Sequence, residues 1–343
     1  MLVDHLQTTG GSVGMLTTDL CRTLGVELPI WNAGMGGGLA GPALAAAVSN
    51  AGGLGVLGMG GLPEPVVREQ LREARTLTDR PLGANLILPL LPDDAPVECC
   101  LEEGVSVLVL FWGDPGPYVE RAHAAGSWLV AHVGSADEAR AAADAGVDAV
   151  MIQGVEAGGH VRGVEGLATV LPATVDAVAP LPVVASGGIG DGRGVAAALA
   201  LGAQAVSLGT RFLCSDESRA AYKDRVVAAT GADTIHTKLF DVEWPDAAHR
   251  VLRNRIVEEW LEAGSPASGQ RAGEGEVTGK MPVGGQTVDL PRYSIFMPMD
   301  GFEGDLDASV LYAGESCSLV SDVRPAAEIV RTLAADADAA RSG

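Results

Sequence analysis

From residue 28 onward, short apolar runs rich in β-branched residues alternate with longer stretches rich in Ala, Leu, Glu and Arg. The runs are Leu28–Asn32, Leu54–Leu57, Leu82–Leu88, Val105–Phe111, Trp128–His132, Ala149–Ile152, Pro182–Ala185 and Ala205–Leu208. Each is mostly apolar, which predicts a strand buried on both faces. The stretches between predict helices near 41–51, 64–77, 94–103, 116–125, 135–145, 166–179 and 191–201. Several of these close on a glycine in the C-cap position, as at Gly104, Gly126, Gly146 and Gly202. Eight strands, each crossing over through a helix, make a (β/α)8 TIM barrel, an α/β fold; a doubly wound open sheet is the alternative.

Beyond residue 212 the pattern changes. Ser215–Thr230 and Ala247–Glu262 predict charged helices. Ala263 to Gln286, rich in Gly, Ser and Pro, predicts a mobile loop or linker. Leu306–Ser318 and Asp322–Ala337 predict helices returning to the body. The expected organisation is a barrel of residues 20–212 plus 306–337, with 213–305 a helical and loop insertion over the active site.

In such a barrel the reactive groups follow the strand C-termini, and phosphate is commonly held by the loops after strands seven and eight. Strand seven runs into Ser186-Gly187-Gly188-Ile189-Gly190, and strand eight, ending Ser207-Leu208, into Gly209-Thr210-Arg211. Their backbone N–H groups suit an anion. Strand one ends in Ala33-Gly34-Met35 and three further glycines, room for a flat ligand. Asn85 falls within strand three, where its amide can pair with a ring edge. Strand six ends in Gln153, followed by Gly158-Gly159-His160, where two glycines permit close approach and one titratable ring faces the ligand.

Composition narrows the reading. The 343 residues carry a formal net charge of −21, which argues against nucleic acid and anionic membranes as partners. Five cysteines, Cys21, Cys99, Cys100, Cys214 and Cys317, show no Cys-x-x-Cys spacing. They read as reduced thiols in a cytoplasmic protein and not as metal ligands. His5, His123, His132, His236 and His249 share no metal-ligand spacing and receive no role. The first twenty residues show no signal peptide, and no run approaches the roughly 18 apolar residues of a membrane span.

Taken together, Asn32-Ala33-Gly34-Met35-Gly36, Gly83-Ala84-Asn85-Leu86, Gln153 to His160 (Gln-Gly-Val-Glu-Ala-Gly-Gly-His), Ala185 to Ile189 and Leu208 to Phe212 carry a resemblance. The chain resembles the nitronate monooxygenase (2-nitropropane dioxygenase) family, whose barrel is shared by the FMN-dependent enoyl-acyl-carrier-protein reductases. The resemblance implies bound FMN. Its phosphate would lie at Ser186, Gly187 and Gly188 and at Ser207, Leu208, Gly209 and Thr210. Asn85, Gln153, Gly158 and Gly159 would lie near the ring and ribityl chain, and Ala33, Gly34 and Met35 against the ring. His160 would be catalytic, either removing the substrate's α-proton or holding charge on the nitronate oxygens. The implied reaction oxidises an alkyl nitronate, or a nitroalkane, with O2 to a carbonyl compound and nitrite.

The chain departs from the family at three places: Gly34 where many members have proline, Val161-Arg162-Gly163 after the histidine, and Glu315 where glutamine is expected. Trp112 and Tyr312 are candidates to line the substrate pocket, and Arg211 is placed to pair with phosphate or with a carboxylate such as Asp216. An NAD(P)H-dependent reductase of enoyl thioesters is the competing reading. A flavin-free binding barrel or an aldolase-like lyase is a third, but Lys223, Lys238 and Lys280 all lie beyond strand eight, which weakens Schiff-base chemistry. The oligomeric state is left open.

Overall fold

Eight short parallel strands carry the fold: Ile30–Asn32, Gly55–Gly58, Leu82–Ile87, Val107–Phe111, Trp128–Val133, Ala149–Gln153, Val183–Ser186 and Ala205–Leu208. Each pairs with its neighbours in chain order, and the first pairs with the eighth. A parallel bridge between Trp31 and Leu54 closes the ring, giving a TIM barrel. The computed structural model describes residues 16–283 and 286–342; His5, the rest of the first fifteen residues and the 284–285 part of the expected linker lie outside it. No helix among the described residues is long and apolar enough to cross a membrane.

Side chains alternate along each strand, and the alternation builds two cores. Leu108, Leu110, Leu129, Val150, Ile152, Val206 and Leu208 face outward and pack under the helices. Trp31, Val56, Val107, Val109, Val130, Met151 and Val184 fill the interior. The short helix Asp19–Leu24 plugs the bottom of the barrel with Leu20, Cys21 and Leu24. Its N-cap, Thr18, accepts from the Cys21 N–H and donates to the Gln204 carbonyl at 2.7 Å, just before strand eight.

Strand one is too short to ladder fully with strand two, and a side chain completes the seam. The Asn32 amide donates to the Val56 carbonyl at 2.7 Å and accepts from the Val56 N–H at 3.0 Å. A buried amide thus supplies both halves of a missing backbone pair. Asn32→Leu strands two buried groups and is expected to lower unfolding free energy by about 2–4 kcal/mol. Urea denaturation checks this; a loss below about 1 kcal/mol would show that the seam closes without the amide.

Residues after 212 depart from the expected helices. Only Lys223–Ala228 is helical within 215–230, because Ser215 and Ala220 bridge to Arg324 and Met299. Within 247–262, His249–Leu252 is a strand, and the helix Arg255–Glu262 starts only after its cap, Asn254. In the Gly-rich stretch, Val277–Val283 is a strand paired antiparallel with Gln286–Pro291. Residues 306–318 form two 3-10 turns, Leu306–Ala308 and Glu315–Leu319, and the last helix is Ala326–Ser342. Long-range pairing overrides local propensity up to residue 318, whereas the helix expected over Asp322–Ala337 forms, as Ala326–Ser342. Leu213, Tyr222, Phe240, Val251, Met299, Val310 and Tyr312 share a further apolar core, whereas Ile329, Val330 and Leu333 of the last helix join the barrel's outer core.

Candidate active site

The strand C-termini open into a cavity of about 180 Å³. Parity builds its floor: the last inward positions of the strands deliver Asn85, Phe111, His132, Gln153, Ser186 and Ser207. Loops supply the walls through Ala33, Gly34, Met35, Gly158, Gly159, His160, Gly187, Gly188, Gly209 and Thr210, and Ile295, Phe296, Met297 and Tyr312 reach in from the late chain. Every expected site residue therefore meets in one place except Leu208. Period-two alternation turns that side chain outward, between Val206 and the helices, so it does not line the cavity. Among the described residues no Asp, Glu, Lys or Arg lines it.

The glycines have separate reasons. A β-carbon at Gly34 would sit 2.3 Å from the Asn85 β-carbon, so the first-strand loop rests directly on strand three. A β-carbon at Gly158 would sit 2.3 Å from the Gly314 nitrogen; that glycine admits the late chain as much as a ligand. Gly187 and Gly188 have φ of +94° and +71°, a left-handed turn that places backbone rather than side chain at the cavity wall. Nearby, the Thr210 hydroxyl accepts from the Gly314 N–H at 2.9 Å and keeps its own proton to donate, while the buried Ser207 hydroxyl has no partner.

His160 is set by three devices. Its backbone pairs with His249 in a small antiparallel sheet with Thr234–Thr237. The Gln153 amide donates to the His160 carbonyl at 3.0 Å and accepts from the Arg162 N–H at 3.2 Å. Trp244 stacks on its ring, 4.4 Å between centroids, with Tyr312 at 5.6 Å and Trp112 at 6.5 Å. The Nε2 atom is closed off from solvent and has no hydrogen-bond partner. Burial, with the neighbouring His249, pushes the imidazole down to about 3, so the ring is neutral at ordinary pH.

Two further histidines belong to this neighbourhood although spacing gave them no role. His132 lines the floor, stacks on Phe111 at 4.3 Å and leaves Nε2 unpartnered; burial lowers it to about 3. Its parity with Val130 on strand five was the available signal. His249 is fully satisfied, its Nδ1 on the Ala247 carbonyl at 2.9 Å and its Nε2 accepting from the Phe240 N–H at 3.3 Å. No local pattern marks it, nor Trp244. Trp112 stands behind the wall, at a left-handed φ of 63°, packed on Trp244 with Arg162 above it.

The charged residues of the motif region are structural. The Glu156 carboxylate accepts from the Leu167 N–H, 3.0 Å to each oxygen, at the start of the helix Leu167–Val178. Glu156→Ala is expected to lower stability by about 1–2 kcal/mol by removing this anionic cap; thermal melting of the variant reads it. Arg250 donates to the Val155 carbonyl at 3.0 Å and ion-pairs with Glu315 at 3.0 Å, which accounts for an acid at that position. Arg211 pairs with Asp322 at 3.0 Å and donates to the Cys214 carbonyl; Asp216 is not its partner.

Fold and site define an enzyme: a TIM barrel with a secluded, uncharged cavity over which a neutral imidazole is poised. The chain belongs to the nitronate monooxygenase family, whose model matches residues 17–336. It is 32% identical to the (3aS,4S,5R,7aS)-5-hydroxy-7a-methyl-1-oxo-octahydro-1H-indene-4-carboxyl-CoA dehydrogenase of Mycobacterium tuberculosis, covering 94% of this chain and 96% of the relative. It is 33% identical to the nitronate monooxygenase of Pseudomonas aeruginosa, covering 93% and 98%. Among solved structures it is similar to FabK from Thermotoga maritima, with a TM-score of 0.79 and 33% identity over 96% of this chain and 98% of that one.

Proposed function

We propose that this enzyme is an FMN-dependent, cytoplasmic oxidoreductase that oxidises alkyl nitronates, and the parent nitroalkanes, with O2 to a carbonyl compound and nitrite. The family it belongs to is one of flavoproteins. The cavity suits FMN on its own chemistry: an unpartnered Ser207 hydroxyl, the hydroxyls of Ser186 and Thr210, a left-handed Gly187–Gly188 turn and no lining carboxylate to repel a phosphate. In this reading Ser186, Gly187, Gly188, Ser207, Gly209 and Thr210 hold the phosphate, and Ala33, Gly34, Met35, Asn85, Gln153, Gly158 and Gly159 surround the rest. Bound there, FMN would supply the redox chemistry between substrate and O2.

The observation that carries the reading is the free, buried Nε2 of His160. With a nitronate it donates a hydrogen bond to the anionic nitro oxygens in its Nε2-protonated tautomer; with a nitroalkane the other tautomer takes the α-proton. The apolar wall of Ile295, Phe296 and Met297 suits a short alkyl group.

A second reading is reduction or dehydrogenation of an acyl thioester with NAD(P)H as partner, favoured by near-full-length likeness to the CoA dehydrogenase. Anaerobic mixing separates the two. Bleaching of the bound flavin by propionate 3-nitronate or ethyl nitronate, but not by NADH or NADPH, with nitrite on admitting air, supports nitronate oxidation. Bleaching by the nicotinamides alone overturns it.

A further inference from the structure

The surroundings of His160 pose a question of charge. Removing a proton from a neutral nitroalkane turns the imidazole into a cation inside the protein. A histidine base is commonly steadied by a carboxylate on its far nitrogen, as in the Ser-His-Asp triad. Here the only histidine ion pair among the described residues is His123 with Asp148, at the opposite end of the barrel, where strands five and six begin. Glu156 is spent on the helix start, and Glu315 on Arg250. Two titratable rings lie nearest, His249 and Tyr312, each 5.6 Å from the imidazole; both ring nitrogens of His249 are occupied, and the Tyr312 hydroxyl donates to the Ile295 carbonyl.

What does face the imidazole is an indole. Trp244 lies 4.4 Å from it, centroid to centroid, with the planes 31° apart. It is only 8% exposed and is held from behind by Trp112 at 4.9 Å and by Ala247 and Ile295. The face of a tryptophan carries negative quadrupolar potential and is the strongest aromatic partner for a cation within about 6 Å, more so away from water.

We infer that Trp244 is a positioning residue that replaces the carboxylate: its indole face fixes the His160 ring and stabilises the imidazolium formed when Nε2 takes the α-proton. The step balances without an oxidant. The C–H bond breaks, the N–H bond forms, and the electron pair moves into the nitro group, leaving a nitronate beside the cation. This deepens the nitroalkane half of the proposed function and rests on it. It also predicts an asymmetry, because a nitronate supplied ready-made needs no proton removed and creates no imidazolium.

The test compares nitroethane with ethyl nitronate in the flavin-loaded wild type, Trp244→Leu and Trp244→Phe. Leucine is expected to lower kcat/KM for nitroethane about tenfold and to leave ethyl nitronate within about twofold; phenylalanine should lose about threefold on nitroethane alone. Equal losses on both substrates would mean packing only and overturn the inference. So would no loss on either, or a wild type that uses the nitronate but never the nitroalkane. A second readout does not depend on oxidation: anaerobic washing of solvent deuterium into the α-carbon of nitroethane, followed by NMR with the flavin reduced. Wild-type exchange that falls about tenfold in Trp244→Leu supports the role even if O2 chemistry fails, which would count against the proposed function instead. Absence of enzyme-catalysed exchange in the wild type overturns it.

Discussion

His160→Gln is expected to lower kcat/KM for nitroethane by a factor of about 10²–10⁴, the usual contribution of a positioned acid–base group. Glutamine keeps a polar head of similar reach but cannot take a proton. The Gln153 bonds that hold the loop go to the His160 carbonyl and the Arg162 N–H, both backbone groups, so the loop should stay in place. Flavin content is expected to match the wild type, which separates lost chemistry from lost cofactor. The pH profile adds a second check. Because burial holds the imidazole at about 3 in the free protein, it stays unprotonated as pH falls from 8 to 5. With preformed nitronate the wild-type profile should therefore show no limb near 6.5, the ordinary histidine value. Steady-state nitrite release reads both; a loss below about tenfold in the variant would remove His160 from the mechanism.

Stability is expected to fall steeply in mild acid. His132, His160 and His249 are held by burial at about 3, 3 and 4, against 6.5 in an unfolded chain. The unfolded state thus binds more protons below 6.5, and stability rises with pH across that window. The contribution is fully present above 6.5 and is lost as pH falls toward the folded values. Each group costs about 1.4 kcal/mol per pH unit, so the three together cost about 4 kcal/mol per unit below pH 6. Set against a typical total of about 5–15 kcal/mol, unfolding near pH 5 becomes accessible. Urea denaturation at pH 7, 6, 5.5 and 5 measures the slope, and His132→Leu should reduce it by one proton. A wild-type slope of one proton or fewer would show that these rings are protonated in the folded state.

The barrel was legible because its evidence is local. Strands buried on both faces are short apolar runs, and glycine C-caps punctuate the helices between them, so even the boundaries lie within a few residues. The glycine loops lining the cavity were legible because Gly187-Gly188 and Gly209 directly follow strand ends. Alternation gives the Ser207 side chain to the cavity and that of Leu208 to the helices, a distinction a motif read as a block does not make. The same alternation marked His132. The late chain was not legible, since Val277–Val283 is a strand only by virtue of Gln286–Pro291, and His249–Leu252 only by virtue of Thr234–Thr237 and the strand-six loop. Trp244 and His249 reach His160 solely through those pairings, and no spacing along the chain announces them.

The strand that fixes His160 is borrowed from a segment 89 residues further on. The ladder of the barrel, by contrast, joins mostly consecutive strands. Closing so distant a pairing carries a larger entropy cost than joining consecutive strands, as does the still longer closure of strand one on strand eight. During refolding, helical signal and interior fluorescence should return ahead of catalysis. On the ribosome, all eight barrel strands emerge before the segment that pairs with the histidine. During synthesis, then, the whole barrel is in hand before the pairing that completes the setting of the reactive ring.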